Sequence, residues 1–151
     1  MQEVVLEVSK LVKTFGEFRA VDDISFVVPR GKIVGFLGPN GAGKTTTIHM
    51  LLGITSPTAG TIRYFGKDFF QHKRDVLQRI NFASAFNTLQ GKITVWENLV
   101  VFAYMYGIHS PKKKIAPFVE AFDLAPLLNK RYMELSAGQK TRVNIVKSFL
   151  N

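Results

Sequence analysis

Gly38-Pro39-Asn40-Gly41-Ala42-Gly43-Lys44-Thr45-Thr46 is the stretch whose reading decides the fold. It fits the pattern G-x-x-x-x-G-K-[ST], and the segments on either side differ sharply in character. Just before it, Ile33-Val34-Gly35-Phe36-Leu37 is apolar at successive positions, which predicts a short strand buried on both faces of a parallel sheet. Just after it, Ile48, Leu51 and Leu52 recur at helical spacing, and Gly53 offers a C-terminal stop. Strand, glycine turn and helix in that order predict an α/β fold.

The loop has the chemistry of an anion nest. Glycine at 38, 41 and 43 lets the backbone take positive φ and come close to a ligand, because there is no Cβ to obstruct it. The helix that follows adds unpaired N–H groups and a partial positive charge. The pattern is the one whose amides cradle the phosphates of a nucleotide. Gly38, Asn40, Gly41, Ala42, Gly43, Lys44, Thr45 and Thr46 are therefore the candidate phosphate-binding residues. Lys44 is placed to reach the β- and γ-phosphates, the Thr45 hydroxyl to ligate Mg2+, and Thr46 to donate to the α-phosphate.

Working outward, Val4, Leu6 and Val8 alternate with Glu3, Val5 and Glu7 as a half-buried strand. Ile24 to Val28 reads as a second strand, closed by the turn Pro29-Arg30-Gly31. Beyond the loop, Ser56-Pro57-Thr58-Ala59-Gly60 is a turn and Thr61 to Phe65 a strand ended by Gly66. Asp75 to Ile80 reads as a helix and Asn81 to Ala83 as a short strand. Thr94-Val95-Trp96-Glu97 fits a capping box opening a helix to Tyr106, with Gly107 after it. Pro117 predicts an interruption, with helix restarting over Ala116 to Phe122. A last helix is expected from about Ser136, burying Val143, Val146 and Leu150.

At 151 residues and 46% hydrophobic, the chain can build one domain with a real core. It has no cysteine, so disulfides and thiolate metal sites are excluded. Its first residues read as an acidic, alternating strand rather than as a signal peptide. The longest apolar run, Leu99 to Ile108, is about half the length of a membrane-spanning helix. A net charge of +9 invites a nucleic-acid reading. The basic residues are scattered, however, and Lys112-Lys113-Lys114 just after Ser110-Pro111 reads as a solvated helix face, so no nucleic-acid partner is expected. His49, His72 and His109 show no metal-ligand spacing.

Leu135-Ser136-Ala137-Gly138-Gln139 opens the last helix, and on its own it is explained by an S-x-x-Q capping box. Together with the 38–46 loop, a Walker A motif, it resembles the L-S-G-G-Q signature of ATP-binding cassette (ABC) proteins, with Ala137 in place of the first signature glycine. Gln139-Lys140-Thr141-Arg142-Val143 resembles the continuation of that signature, and the resemblance spans nearly the whole chain. It implies a P-loop NTPase fold of the ABC nucleotide-binding type, with a mixed sheet core, an N-terminal antiparallel β part and a helical insert. The core would occupy about 1–85 and 135–151, and the insert about 86–134.

The resemblance also implies ATP and Mg2+ as cofactors and a second ATP-binding domain packed head to tail. Residues 38–46 would act in cis, and Ser136, Gly138 and Gln139 on the partner's nucleotide. Transmembrane permease subunits would meet the insert at the cytoplasmic face of a membrane, where Trp96, Val100, Phe102 and Tyr104 are candidate contacts or plain helix core. Phe15, in Lys13-Thr14-Phe15-Gly16, stands where the family places an adenine-stacking aromatic, usually Tyr; a core role is the alternative. Arg79 to Ala85 aligns with the approach to the family's Q-loop, and Ala85 stands where Gln is expected. Alanine neither ligates Mg2+ nor positions water, which leaves Asn87 or Gln90 as substitutes after a loop shift.

The family's catalytic Asp-Glu follows four apolar residues soon after the signature helix, and none of the 11 acids here stands in such a string. The sequence stops at Asn151, about where that strand is expected, and the family's switch His is expected further on. The expectation is a C-terminally truncated, N-terminal fragment of an ABC ATPase ending before Walker B. Alone it should bind nucleotide weakly, hydrolyse it poorly and self-associate through the sheet edge beside Ile33 to Leu37. The leading function is the ATP-binding subunit of a transporter. The compact insert and the Gly-Pro-Asn-Gly loop look most like those of transporter subunits, and a drug or antibiotic exporter is the expectation. The alternative is a non-hydrolysing nucleotide-binding or regulatory protein. A P-loop kinase or GTPase would not carry Leu135 to Gln139.

Overall fold

In the computed structural model, which describes residues 3–83 and 89–150, the backbone forms two units, Met1–Leu77 and Gln78–Asn151. The first is built on a long hairpin. Strand β1 (Val4–Phe15) pairs antiparallel with β2 (Phe18–Pro29), far longer than the alternating stretch at its start predicts. Irregularities in the register let the hairpin continue past polar residues. Lys10 has φ 48° and Asp23 φ 46°, and the Lys10 N–H leaves the ladder to donate to the Ser25 hydroxyl at 2.8 Å.

Helix α1 (Lys44–Leu51) follows the glycine loop, and β3 (Ala59–Tyr64) and the two-residue β4 (Lys67–Asp68) complete a sheet in the order β2-β1-β3-β4. Its core is Leu6, Val8, Leu11, Val21, Met50, Ile62, Tyr64, Phe69 and Val76. The stop at Gly53 forms as expected: Ile54 N–H donates to the His49 carbonyl at 2.9 Å and Gly53 N–H to that of Met50 at 3.0 Å, with Gly53 at φ 65°. Below it, the Tyr64 hydroxyl donates to the Leu51 carbonyl at 3.0 Å, and burial raises that phenol's pKa to about 12.

Three expectations for this unit are corrected. Residues 33–37 do not form a strand: Ile33 is fully exposed and Leu37 is 93% exposed. A strand needs a hydrogen-bonded neighbour, and the pairings in this sheet run only among β1 to β4 and are all antiparallel, so the segment has no parallel partner there. The buried side of α1 is Thr47 and Met50, while Ile48, Leu51 and Leu52 are only half-buried. Thr47 tolerates burial because its hydroxyl donates to the Gly43 carbonyl at 3.0 Å. The helix expected at Asp75 to Ile80 lies earlier, as α2 (Lys73–Leu77).

The second unit is helical. Helix α3 (Val95–Met105) carries the expected capping box on Thr94 and Glu97, and all four of its orphan N-terminal donors are satisfied. Thr94 N–H donates to the Glu97 carboxylate at 2.7 Å and Glu97 N–H to the Thr94 hydroxyl at 3.1 Å. Val95 and Trp96 donate to the carbonyls of Lys130 and Leu128, each at 3.0 Å. The helix ends at Gly107 (φ 77°), where Ile108 N–H meets the Ala103 carbonyl at 2.9 Å.

Helix α4 (Pro111–Ala121) runs through Pro117 instead of restarting there. Pro117 and Lys113, whose carbonyl loses its partner, are both exposed, so water can take that bond. Meanwhile Ile115 is buried and the Phe118 ring stacks on Phe149 at 5.8 Å, so packing on both sides of Pro117 offsets the lost bond. Residues 81–83 form no strand. Helix α5 (Ala137–Ser148) buries Val143 and Val146, with Leu150 just beyond it, as expected. Among the described residues no helix is long and apolar enough to cross a membrane.

Candidate functional site

The glycine loop forms the wall of an open cleft of about 350 Å3, lined by Phe18, Ala20, Asn40, Gly41, Gly43, Lys44, Thr45 and Thr46. The loop ends at Gly43, which caps α1 in the left-handed region at φ 79°. Two constraints fix it as glycine. Positive φ penalises any Cβ, and a Cβ built here would collide with the Ala20 carbonyl of β2 and come within 3.1 Å of Val21 Cγ2. Gly41 also has positive φ, at 84°, but an added Cβ would meet nothing within 4 Å. The motif thus seats the start of α1 directly on the backbone of β2.

Lys44 folds back across the mouth of the loop. Its ammonium donates to the Gly38 carbonyl at 2.6 Å and to the Pro39 carbonyl at 2.7 Å. Two of its three donors are therefore parked on loop oxygens, within reach of whatever enters the cleft. Helix α1 has no acid in its first turn, so nothing cancels the positive end of its dipole, and Lys44 adds a charge there. The Thr45 hydroxyl is exposed beside it, an oxygen donor of the kind a hard cation takes. A neighbouring cleft of about 360 Å3 is lined in part by Gly41, Ala42 and Thr47 together with Arg19 and Asp22. The Arg19–Asp22 ion pair, at 2.8 Å, is largely exposed and adds little stability.

In the helical unit the structure realises the capping box at Ser136. Ser136 N–H donates to Gln139 Oε1 at 2.9 Å, and Gln139 N–H to Ser136 Oγ at 3.3 Å. Because Ser136 Oγ accepts that bond, its own proton is still available to an outside acceptor. Gly138 is exposed, lacks positive φ, and has open space where a Cβ would go. Among the described residues nothing requires glycine there.

Of the other sequence candidates, Trp96, Val100 and Phe102 pack half-buried on the helical core, whereas Tyr104 is exposed. Gln90 Oε1 accepts the Lys92 N–H at 3.4 Å. Ala85 and Asn87 lie outside the described residues. Sequence reading missed Asn98. It is 1% exposed, accepts the Gln90 N–H at 3.0 Å, and donates to the carbonyls of Gln90 and Thr94 at 2.9 and 3.0 Å, clamping residue 90 to α3. A polar residue on the apolar face of a capped helix was the available signal. The cleft beside the glycine loop is lined by Phe18, which the sequence reading did not single out, while Phe15 is not among its lining residues.

A family model described as "ABC transporter" matches residues 21–151. The chain belongs to this family. It is 39% identical over 153 residues to the Nod factor export ATP-binding protein I of Paraburkholderia xenovorans (strain LB400), covering 100% of this chain and 50% of that protein. It is 38% identical over 147 residues to the bacitracin transport ATP-binding protein BcrA of Bacillus licheniformis, covering 97% and 48%. A solved ATP-binding subunit of an ABC transporter superposes with TM-score 0.83 at 30% identity, over 97% of this chain and 62% of that one. The fold is that of the ABC ATP-binding cassettes, and the chain spans about half the length of the curated relatives it matches.

Proposed function

We propose that this chain is the nucleotide-binding part of an ATPase subunit that energises an ABC transporter, working at the cytoplasmic face of a membrane against transmembrane permease subunits. The observation that carries this reading is the cleft at residues 38–46, with the Lys44 ammonium resting on the Gly38 and Pro39 carbonyls at the uncompensated N-terminus of α1. Triphosphate oxygens would replace those two carbonyls as acceptors, while the loop amides and α1 supply fixed positive potential that needs no reorganisation. Thr45 would hold Mg2+, which when bound neutralises charge between the β- and γ-phosphates. Ser136, Gly138 and Gln139 would face the nucleotide of a second, head-to-tail domain, with the Ser136 proton directed at the γ-phosphate. Export is supported by the relative named for Nod factor export.

The test is Mg–ATP binding and turnover by purified protein, with and without its permease reconstituted in vesicles. Wild type should bind ATP, and Lys44→Ala should lose most of that affinity. ATP binding that is indifferent to Lys44→Ala would refute the site.

A further inference from the structure

We propose that the corner where α3 ends and α4 begins docks directly on an anionic lipid bilayer. Lys112, Lys113 and Lys114 meet the headgroups, and Tyr104 and Met105 seat among them. The contact is separate from the phosphate loop and needs no permease.

The outward face of α3 turns apolar toward its C-terminal end. Val101, Tyr104 and Met105 stand at spacings of three and four, so they share one face, and they are exposed by 48%, 61% and 71%. The core side of the helix is Val95, Leu99 and Ala103 instead. Past the Gly107 turn, Pro111 and Ile115 are buried four residues apart. That turns Lys112 and Lys113 outward, with Lys114 half-buried. Leu99 and Ala103 of α3 and Ile115 of α4 belong to one core, so the end of α3 and the start of α4 stand at the same end of the helical unit.

The charges at this corner work against the fold. A helix favours acids in its first turn and bases in its last, yet α4 begins with three lysines and carries Glu120 in its last turn. No carboxylate pairs with these lysines among the described residues, and no acid occurs between Glu97 and Glu120. Charge placed where local stability opposes it points to a function elsewhere. The partner has to be negative and also has to offer hydrocarbon beside its charge, because the neighbouring face is apolar. An anionic bilayer supplies both. Lysine ammonium groups reach its phosphates, while Met105 and the Tyr104 ring enter the acyl boundary with the phenol left in water. Nucleic acid would match the charge and leave Val101 and Met105 without a partner.

The experiment is co-sedimentation of the purified chain with vesicles of phosphatidylcholine alone or mixed with phosphatidylglycerol. Wild type should bind only the mixed vesicles, and about 0.5 M salt should release it. Changing Lys112, Lys113 and Lys114 together to Gln should weaken binding about a hundredfold, at roughly fivefold per lysine. The same change at the exposed Lys32, Lys67 and Lys130 removes equal net charge and should cost less than about fivefold. Tyr104→Ser with Met105→Ser should weaken binding at least tenfold without altering its salt dependence. Taking cations from a helix start should hold or raise the thermal midpoint, so unfolding is not confused with lost docking. Absence of vesicle binding, equal binding to both vesicle types, or equal losses from the two lysine triples would overturn the proposal. So would binding to a DNA duplex that the Lys112–Lys114 change abolishes while vesicle binding persists.

Discussion

Replacing Gly43 with alanine, measured against the same change at Gly41, isolates the contact that seats the phosphate loop. Both residues hold left-handed backbone, at φ 79° and 84°, so each alanine incurs the same conformational penalty of about 1–2 kcal/mol. Only at 43 does the new methyl run into protein: the Ala20 carbonyl, with Val21 Cγ2 at 3.1 Å. Carbonyl oxygens of a paired strand do not give way cheaply, and overpacking of this kind costs about 1–3 kcal/mol more. The difference between the two variants should therefore be about 2 kcal/mol, with the shared backbone term cancelled. At a urea m-value of about 2 kcal/mol/M, this moves the unfolding midpoint of Gly43→Ala about 1 M below that of Gly41→Ala. The assay is equilibrium urea unfolding followed by far-UV circular dichroism. Coincident midpoints for the two variants would refute the claim that β2 backbone, and not only left-handed geometry, demands glycine at 43.

Three further outcomes follow from the same geometry. Lys44→Ala removes a half-buried side chain whose partner carbonyls, of Gly38 and Pro39, can turn to water, so stability should change by less than about 0.5 kcal/mol. ATP affinity should fall roughly ten- to hundred-fold, the loss of one charge-assisted contact, read by fluorescent-nucleotide titration. Gly138→Ala should stabilise α5 by about 0.5–1 kcal/mol, since a Cβ meets nothing there, yet slow hydrolysis in the assembled transporter if a partner's phosphate approaches that backbone; unchanged turnover would remove residue 138 from the proposed second jaw. Glu97 has its pKa lowered from 4.5, first by the Thr94 N–H and then by its hydroxyl. Its contribution is therefore complete above pH 4.5 and is lost as pH falls through the lower folded-state value. Glu97→Gln should flatten the acid side of the stability–pH curve of the helical unit, measured by thermal melts.

Much of the site was legible because its determinants are local. Thr94 with Glu97 and Ser136 with Gln139 are contacts three residues apart, and both boxes formed as the residue order dictates. The stops at Gly53 and Gly107 also belong to single turns of chain. The loop motif is a run of backbone conformations written in its own glycines, although the seat of Gly43 on β2 is not. Long-range choices were not legible. Residues 33–37 have the composition of a buried strand, but a ladder is a property of two segments, and in this structure β1 already pairs with β2 and β3.

By itself, then, the sequence determined the glycine-loop motif, the helix caps and the family, because each is written in residues a turn or two apart. Only the tertiary structure decided that Gly43 is held by Ala20, that Lys130 and Leu128 complete the start of α3, and that Phe18 and not Phe15 lines the cleft. Those facts depend on which distant backbone lies within a few ångströms, and side-chain pattern along a single segment carries no record of its neighbour.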